Sequence, residues 1–387
     1  MRHRSGWSLR RLGGLAFFGA FGAALTAAGC GAARPPTEAI GNDAPTSGGK
    51  STSDGGSAPP GCGTTADGTQ CDCVDVALYT DPPTMYFVLD RSGSMAADDN
   101  WNKVRIVVAQ IMRTLGPRAS FGATIFPSAS STDVCAAGNE VLKISPGDTP
   151  SAGASGPTTS ALLSATAFAP SGGTPTAATL DAVKSRVQAG SGKRYVILAT
   201  DGAPNCNFEA SCSADQCQDN IDGAPNCSPS VNCCANAPGD CNDESGTVTQ
   251  IGYLKSEGTP TFVIGLPGAE KYSQTLDNMA VAGGNALPTS PKYYAVSTSS
   301  QDAMFAALKK VAAKITGTCE YDLTAVPADP NLVNVYVDEV VLPYEPVNGW
   351  TIVGKTVTLQ GATCAKVLAG DALDVRIIAG CPRVNVK

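Results

Sequence analysis

The residues best suited to chemistry in this 387-residue chain are one carboxylate and two hydroxyls that follow an apolar run. Residues 86–89 lead into Asp90, and serines follow at Ser92 and Ser94. A continuous apolar run is typical of a central parallel strand whose sheet is covered by helices on both faces. Carboxylate and hydroxyl oxygens are hard ligands that suit Mg²⁺, Mn²⁺ or Ca²⁺ and not a thiophilic metal. The stretch therefore predicts a divalent cation site at the carboxyl end of a buried strand.

Two later loops supply ligands of the same kind. Thr174 lies in a Gly-Gly-Thr-Pro loop just before an apolar helical pattern, and Asp201 follows the strand pattern of residues 195–199. The Asp-x-Ser-x-Ser triplet alone is also explained by turn chemistry, and a degenerate site that holds no ion is the alternative to the complete set. In this order and between these element types, five residues resemble the metal-ion-dependent adhesion site of von Willebrand factor type A (VWA) domains: Asp90, Ser92, Ser94, Thr174 and Asp201.

The resemblance implies a cofactor, a partner and a mode of binding. The hydroxyls would hold Mg²⁺ (or Mn²⁺ or Ca²⁺) directly or through water, and Asp90 and Asp201 would neutralise it. Neutral hydroxyl ligands leave the ion electrophilic, so an open coordination position would accept a Glu or Asp side chain of a partner protein. In the family, a shift between Thr and Asp coordination accompanies movement of the last helix, here residues 300–315.

Composition excludes several function classes. The one histidine is His3, within the predicted targeting segment. The rest of the chain therefore offers no Ser-His or Cys-His nucleophile pair and no usual zinc site, which argues against an enzyme. The net charge is −7, and this acidic balance argues against nucleic acid or an anionic membrane surface as a partner.

The amino-terminal residues predict export and a lipid anchor. Residues 1–29 combine four arginines, no acids and a long apolar run, which is typical of a signal peptide. The Ala-Ala-Gly-Cys sequence ending at Cys30 resembles a bacterial lipobox, which implies that Cys30 is acylated. Residues 30–61 are rich in Pro, Gly and Ser and predict a disordered tether, followed by a cysteine-containing flank at 62–83. Gly31 after the lipidated cysteine implies sorting to the outer membrane, with the lipid as the only membrane contact.

Strand and helix patterns alternate between residues 84 and 318. This alternation predicts an α/β domain with a doubly wound, mostly parallel sheet of the VWA or Rossmann-like kind, whose ligand site lies at the carboxyl ends of the strands. A cysteine-rich insertion, residues 203–243, interrupts the pattern and contains hardly any apolar residue. The patterns predict strands at 121–126, 141–144, 193–200, 259–265 and 293–296, helices at 101–115, 176–188, 245–257, 270–282 and 300–315, and a helical turn at 161–168.

Residues 319–387 predict a small antiparallel β module. Apolar residues alternate with others around 333–337 and 356–360, residues 373–378 form another strand pattern, and Asn348-Gly349 is a turn signal. A stabilising cap is the simplest interpretation of this module. A lectin-like or docking role is the alternative, although no motif supports it.

The cysteine count predicts disulfides in an oxidising compartment. Four regions each have an odd number of cysteines: three in the flank at 62–83, one at Cys135, seven in the insertion and three in residues 319–387. Complete pairing therefore requires at least two bridges between regions. Because VWA domains bring their ends together, the resemblance implies that Cys71 or Cys73 bonds Cys319. Cys135, on a loop at the same sheet edge as the predicted metal site, would then bond the insertion, and Cys364 would bond Cys381. The candidates besides Cys30 are Cys62, Cys71, Cys73, Cys135, Cys206, Cys212, Cys217, Cys227, Cys233, Cys234, Cys241, Cys319, Cys364 and Cys381.

Other ion sites are alternatives for the remaining residues. Zinc could bind the closely spaced Cys233, Cys234 and Cys241, and Asp98 with Asp99 could support an ion beside the main site or solvate the first helix's amino end. The acids of the insertion could hold a second Ca²⁺, although solvated turn residues explain them equally well. These acids are Asp215, Asp219, Asp222, Asp240, Asp243 and Glu244.

Three functions compete. The sequence favours a membrane-anchored, metal-dependent protein-binding module of the adhesion type, because the five ligand positions are filled while catalytic residues are missing. A metal-assisted hydrolase would need a general base near the ion, and only acids of the insertion are available. A structural envelope lipoprotein would use the ion only to make the loop rigid.

Overall fold

The computed structural model describes residues 74–75, 82–149, 152–153, 156–323 and 326–384. The predicted signal peptide, Cys30, the tether and the flanking cysteines Cys62, Cys71 and Cys73 lie outside the described residues. The strands of the described part are β1 (Val74–Asp75), β2 (Thr84–Asp90), β3 (Ser120–Phe126), β4 (Asn139–Pro146), β5 (Arg194–Thr200), β6 (Thr261–Gly265), β7 (Tyr294–Ala295), β8 (Glu320–Asp322), β9 (Val333–Val337), β10 (Val340–Val341), β11 (Trp350–Val353), β12 (Thr356–Leu359) and β13 (Val375–Ala379). The helices are α1 (Asn100–Leu115), α2 (Pro157–Ala165), α3 (Thr176–Val187), α4 (Gln218–Asp222), α5 (Glu244–Ser256), α6 (Ser273–Gly283), α7 (Gln301–Thr316) and α8 (Gly361–Ala369).

Six strands form the central sheet, in the spatial order β4-β3-β2-β5-β6-β7. Neighbours are parallel except β3 and β4, which pair antiparallel at one edge. All seven residues of the central strand β2 are buried, and alternate side chains enter opposite faces. Met85, Phe87 and Leu89 pack in one core with α1 and α7, while Tyr86 and Val88 pack in another with α3, α5 and α6. The predicted mixed, mostly parallel α/β sheet is confirmed.

The helix and strand predictions differ from the structure mainly at edges. β4 is eight residues long and only partly buried, so its apolar pattern indicated only the middle of the strand. The helix predicted at 270–282 begins as a 3-10 turn at Ala269–Tyr272 and continues as α6. α2 starts earlier than predicted because Pro157 occupies its first turn, where a missing N–H costs nothing. Across the described ranges, no helix has the length and apolar character that crossing a membrane requires.

The cysteine-rich insertion lies between β5 and α5, and α4 is its one α-helix among the described residues. A bridge from Cys135 to Cys206 ties the insertion to the loop between β3 and β4, which is the connection expected between these two regions. The zinc alternative is wrong, because the cysteines proposed as ligands are bonded to other cysteines. The bridges within the insertion are Cys212–Cys241, Cys217–Cys234 and Cys227–Cys233.

Two antiparallel sheets form the carboxyl-terminal part, in the orders β1-β13-β9-β10 and β11-β12-β8. They share an apolar core that includes Trp350, Val335 and Ile377. The predicted antiparallel β structure is confirmed, and the patterns at 333–337, 356–360 and 373–378 correspond to β9, β12 and β13, whereas no pattern had indicated β8, β10, β11 or α8. β1 precedes the central sheet in the chain, yet it pairs with β13. Segments from both sides of the central sheet therefore build this β structure.

Two predicted disulfides in this region are wrong. Cys319 bonds Cys364, so Cys319 does not pair with Cys71 or Cys73, and Cys364 does not pair with Cys381. The unpredicted helix α8 is the reason. Cys319 accepts a hydrogen bond from the backbone of Leu359 at the end of β12 (2.7 Å), and α8 begins two residues later, which brings Cys364 within bonding distance of Cys319.

Candidate metal centre

Two neighbouring parallel strands bring the two predicted carboxylate ligands to one edge of the sheet. Asp90 is the last residue of β2, and Asp201 directly follows β5, which pairs with β2 in parallel register. Thr200, the last residue of β5, donates a side-chain hydrogen bond to Asp90 Oδ2 at 2.6 Å. The carboxyl ends of parallel strands lie at the same edge of a sheet, so this strand order accounts for the approach of residues that are far apart in sequence.

The two serines connect these carboxylates through hydrogen bonds. The backbone N–H of Ser92 donates to Asp90 Oδ1 at 2.7 Å. The hydroxyls of Ser92 and Ser94 lie 3.1 Å apart, and the Ser94 hydroxyl donates to Asp201 Oδ1 at 2.7 Å. Asp90, Ser92 and Asp201 are buried, whereas Ser94 is exposed. The chain of contacts therefore leads from a buried carboxylate to the solvent-facing side of the site.

The Thr174 loop lies against the serine loop. The backbone N–H of Gly93 donates to the carbonyl of Gly172 at 2.9 Å, and Thr174 itself is buried. Gly172 has φ of 88°, and a Cβ at this position would lie 2.7 Å from the carbonyl oxygen of Val134. Glycine is therefore required here both for its backbone conformation and for the close approach. The structure brings all three predicted ligand loops to the same edge of the sheet.

Arg91 holds this edge together, and the sequence analysis did not single it out. Its side chain is buried with 6% exposure and donates to the carbonyl oxygens of Pro127 and Ala169. Its guanidinium also donates to the hydroxyl of Ser171 at 3.1 Å. The sequence signal for this role is the position of the arginine between a buried strand and a polar loop. A buried guanidinium needs several hydrogen-bond acceptors, so it joins the segments that supply them. Arg91 thus connects the serine loop to the segment that leads into Thr174.

The electrostatics of the site favour a divalent cation. Burial raises the pKa of Asp90 to about 6, and burial together with the negative charge of Asp90 raises the pKa of Asp201 to about 7. In the described part of the chain, neither carboxylate forms an ion pair with Lys or Arg. Two buried carboxylates with raised pKa values and hydroxyls beside them match the hard oxygen donors that Mg²⁺, Mn²⁺ and Ca²⁺ prefer. The residues present therefore fit a divalent ion.

The other candidate ion ligands do not gather in the same way. Asp98 accepts a hydrogen bond from Ser299, and Asp99 accepts one from Asn102. Among the described residues, the one close group of possible ligand atoms outside this edge consists of sulfurs that are already in disulfides. Four of the six acids proposed for a second Ca²⁺ have separate partners instead: Ser213 for Asp215, Lys271 for Asp222, Asn207 for Asp243, and Thr275 with Asn278 for Glu244.

Solved structures of low sequence identity resemble this chain. The pilus adhesin SpaC of Lactobacillus rhamnosus GG is 16% identical with a TM-score of 0.47, over 80% of this chain and 43% of SpaC. The vWF domain of the type V pili tip protein Mfa5 of Porphyromonas gingivalis is 13% identical with a TM-score of 0.41, over 60% of this chain and 94% of the other. Manganese-loaded TRAP protein of Plasmodium vivax is 17% identical with a TM-score of 0.38, over 62% and 75%. This chain thus spans less than half the length of SpaC.

A family model gives the assignment. A search among curated proteins found no match. The model of the von Willebrand factor type A domain matches residues 84–306, which is more than half of the chain and includes all three ligand loops. The matched range runs from the first residue of β2 into α7. The chain therefore belongs to the von Willebrand factor type A domain family.

Proposed function

We propose that this chain is a divalent-metal-dependent protein-binding module of the adhesion type. The observation that carries the proposal is the arrangement of Asp90 and Asp201, two buried carboxylates that lack an ion-pair partner in the described residues and are connected through serine hydroxyls. Buried charge without a partner is costly, and a divalent cation would remove this cost. The proposed ligands are Asp90, Ser92, Ser94, Thr174 and Asp201, and the proposed ion is Mg²⁺, with Mn²⁺ or Ca²⁺ as substitutes.

The proposed binding chemistry divides between charged and neutral ligands. Asp90 and Asp201 balance the ion's charge, while the hydroxyls of Ser92, Ser94 and Thr174 complete its environment without adding charge. When bound, the ion supplies an open coordination position for an acidic side chain of a partner protein. Ser94 is exposed, so a partner can approach the site from this side.

The proposed location is the bacterial cell envelope. In this proposal residues 1–29 direct export, acylated Cys30 anchors the chain, and residues 30–61 tether the domain of residues 84–318. Four disulfides between β3 and α5 support export, because such bonds persist in oxidising compartments. Gly31 after the anchor supports the outer membrane as the destination.

A metal-dependent pull-down tests the proposed function. Tagged protein is incubated with surface extracts in Mg²⁺ and again with chelator, and bound proteins are identified by mass spectrometry. We expect capture of a partner in Mg²⁺ that is lost with chelator and lost in Asp90→Ala, while Asp98→Ala retains it. Circular dichroism must show that Asp90→Ala remains folded. Undiminished capture by a folded Asp90→Ala protein would refute the proposal.

Two further measurements, the melting temperature with Mg²⁺ and turnover on a substrate panel, separate the two alternatives. If Mg²⁺ raises the melting temperature but no partner depends on the ion, the structural envelope lipoprotein is supported. If a substrate panel shows turnover that is lost in Asp90→Ala, the metal-assisted hydrolase is supported. Among the described residues, the side-chain partners of Asp215, Asp243 and Glu244 are Ser213, Asn207, Thr275 and Asn278. None of these partners is a proposed metal ligand, so no contact of the described part of the chain favours the hydrolase.

A further inference from the structure

The cysteine-rich insertion holds the Thr174 loop through one asparagine. The side-chain Oδ1 of Asn205 accepts a hydrogen bond from the backbone N–H of Thr174 at 2.6 Å. The backbone N–H of Asn205 donates to the carbonyl of Thr174 at 2.9 Å. A single residue of the insertion thus satisfies both backbone groups of one proposed metal ligand.

The orientation of this asparagine is itself set by the insertion. Asn205 Nδ2 donates to Gln218 Oε1 at 2.9 Å, and Gln218 Nε2 donates to the carbonyl oxygens of Ala203 and Pro204 at 2.9 and 3.1 Å. Because its amide nitrogen is engaged by Gln218, the amide oxygen of Asn205 faces Thr174. The helix α4, which begins at Gln218, therefore supports the contact from behind.

A disulfide closes the other side of the same loop. Cys206, next to Asn205, bonds Cys135, and Gly173 donates a backbone hydrogen bond to Val134 at 3.0 Å. A Cβ on Gly173 would lie 2.6 Å from Cys206 Sγ and 3.0 Å from Asn205 Oδ1. The loop is therefore packed against the bridge and the asparagine together, with no space for a side chain at Gly173.

We propose that Asn205 is a positioning residue for the metal site, and that it acts together with the Cys135–Cys206 bridge. In this proposal the insertion holds the backbone of Thr174 in the ligand-competent position before an ion binds. The inference rests on the proposed function, since it concerns the same ion. Residues that orient a metal ligand typically contribute 10- to 100-fold to metal affinity, because an unrestrained ligand must be ordered when the ion binds.

Calorimetric titration with Mn²⁺ alone tests the effect on affinity. We expect Asn205→Ala to weaken Mn²⁺ binding about 10- to 100-fold. Asn207→Ala is the matched control, because Asn207 belongs to the same insertion but donates to Asp243, and its affinity should equal that of the wild type. Equal affinity of Asn205→Ala and Asn207→Ala would overturn the proposal.

A double-mutant cycle tests whether Asn205 acts through Thr174. In a Thr174→Ala background, where no hydroxyl remains to be positioned, Asn205→Ala should cause little additional loss of Mn²⁺ affinity. Losses that simply add would show that Asn205 acts independently of Thr174, which contradicts the proposed role. A merely structural contribution of Asn205 would lower the melting temperature in both backgrounds without this dependence.

Amide hydrogen exchange gives a readout that does not require the ion. In metal-free protein, the Thr174 amide should exchange faster in Asn205→Ala than in the wild type or in Asn207→Ala, because its acceptor is lost. Unchanged exchange in Asn205→Ala would overturn the proposal. If the wild type binds no Mn²⁺, the proposed function fails, while the exchange measurement still decides whether Asn205 holds the loop.

The disulfide provides an independent variant of the same test. The pair Cys135→Ser with Cys206→Ser should also accelerate exchange at Thr174 and weaken Mn²⁺ binding. The pair Cys227→Ser with Cys233→Ser removes a bridge of the same insertion without a described contact to the loop, and it should leave both quantities unchanged. Equal effects of the two pairs would contradict a specific role of the Cys135–Cys206 bridge.

Discussion

The central sheet and the cysteine-rich insertion are adjacent in the chain but are stabilised in different ways. Every residue of β2 is buried, and its side chains enter apolar cores on both faces of the sheet. The buried cluster of the insertion consists of the half-cystines Cys217, Cys234 and Cys241. Two of its three large apolar side chains, Phe208 and Val231, are mostly exposed, and the third, Ile221, is only partly buried. Apolar burial therefore stabilises the sheet, while covalent bridges stabilise the insertion.

This difference shows how the proposed site can combine precision with a polar surface. The sheet places Asp90 and Asp201 at its edge. Its apolar side chains pack in the cores on the two faces of the sheet, so they do not stabilise the exposed residues around these two carboxylates. The insertion contains too little apolar surface to form a hydrophobic core of its own. Its disulfide bridges give it a fixed shape without such a core. It can therefore contact Thr174 through a polar side chain, Asn205.

The largest expected effect on the free energy of unfolding comes from a comparison in which phenylalanine is replaced by alanine once in the sheet and once in the insertion. Phe87→Ala removes a fully buried ring that stacks on Phe121, and we expect it to lower the free energy of unfolding by about 3–5 kcal/mol. Phe208→Ala, at 64% exposure, should change it by less than about 0.5 kcal/mol. Urea unfolding followed by tryptophan fluorescence measures both. Similar losses would contradict the division between buried sheet and bridged insertion.

The next effect concerns the bridges. Replacing Cys212 and Cys241 by alanine opens a bridge with a sequence separation of 29 and should lower the local stability of the insertion by about 3–4 kcal/mol. The Cys227–Cys233 bridge has a separation of 6, so its removal should cost less, about 2 kcal/mol. Hydrogen exchange with mass spectrometry measures local opening, and β2 serves as the internal control. Faster exchange in β2 would show that the two regions unfold together.

A pH effect is expected at the edge where the regions meet. The pKa values of Asp90 and Asp201 in the folded, metal-free protein are about 6 and 7, above the ordinary value, so the folded state binds protons more tightly than the unfolded state. In chelator the free energy of unfolding should therefore fall as pH rises from 4 to 8. Asp201→Asn should reduce this slope, whereas Asp98→Asn should not.

At pH 8, added Mg²⁺ should restore stability, by about 2.7 kcal/mol at a concentration 100 times its Kd. Thermal unfolding in chelator and in Mg²⁺ measures both effects. A slope in chelator that is the same in Asp201→Asn and the wild type would contradict the pKa assignment.

The smallest expected effect concerns an ion pair between the two regions. Lys271, ahead of α6, lies 3.1 Å from Asp222 of the insertion, and both side chains are about half exposed. Exposed pairs of this kind contribute about 0.2–1 kcal/mol, so Lys271→Ala should lower the free energy of unfolding by less than removal of any bridge. The effect should shrink at high salt. A loss comparable to that of Phe87→Ala would mean that this contact, and not the bridges, holds the insertion in place.

Much of the fold and part of the site were predictable because the relevant signals are local. The apolar run before Asp90 indicated a central strand, and the alternation of strand and helix patterns indicated a parallel sheet. The shared edge of Asp90 and Asp201 then followed, since parallel strands end at the same side. The bridge from Cys135 to the insertion was accessible from parity together with the expected position of the Cys135 loop at the same sheet edge as the metal site. Its partner, Cys206, was not.

The order of the elements, the burial of β2 and the residue types at the proposed site were determined by sequence patterns that extend over a few residues. The tertiary structure alone decided that Cys319 bonds Cys364, that β1 pairs with β13, and that Asn205 contacts Thr174. The physical reason is that a periodic pattern reports which face of an element is buried, but not which distant segment packs against it. That choice depends on packing and chain closure across the whole domain.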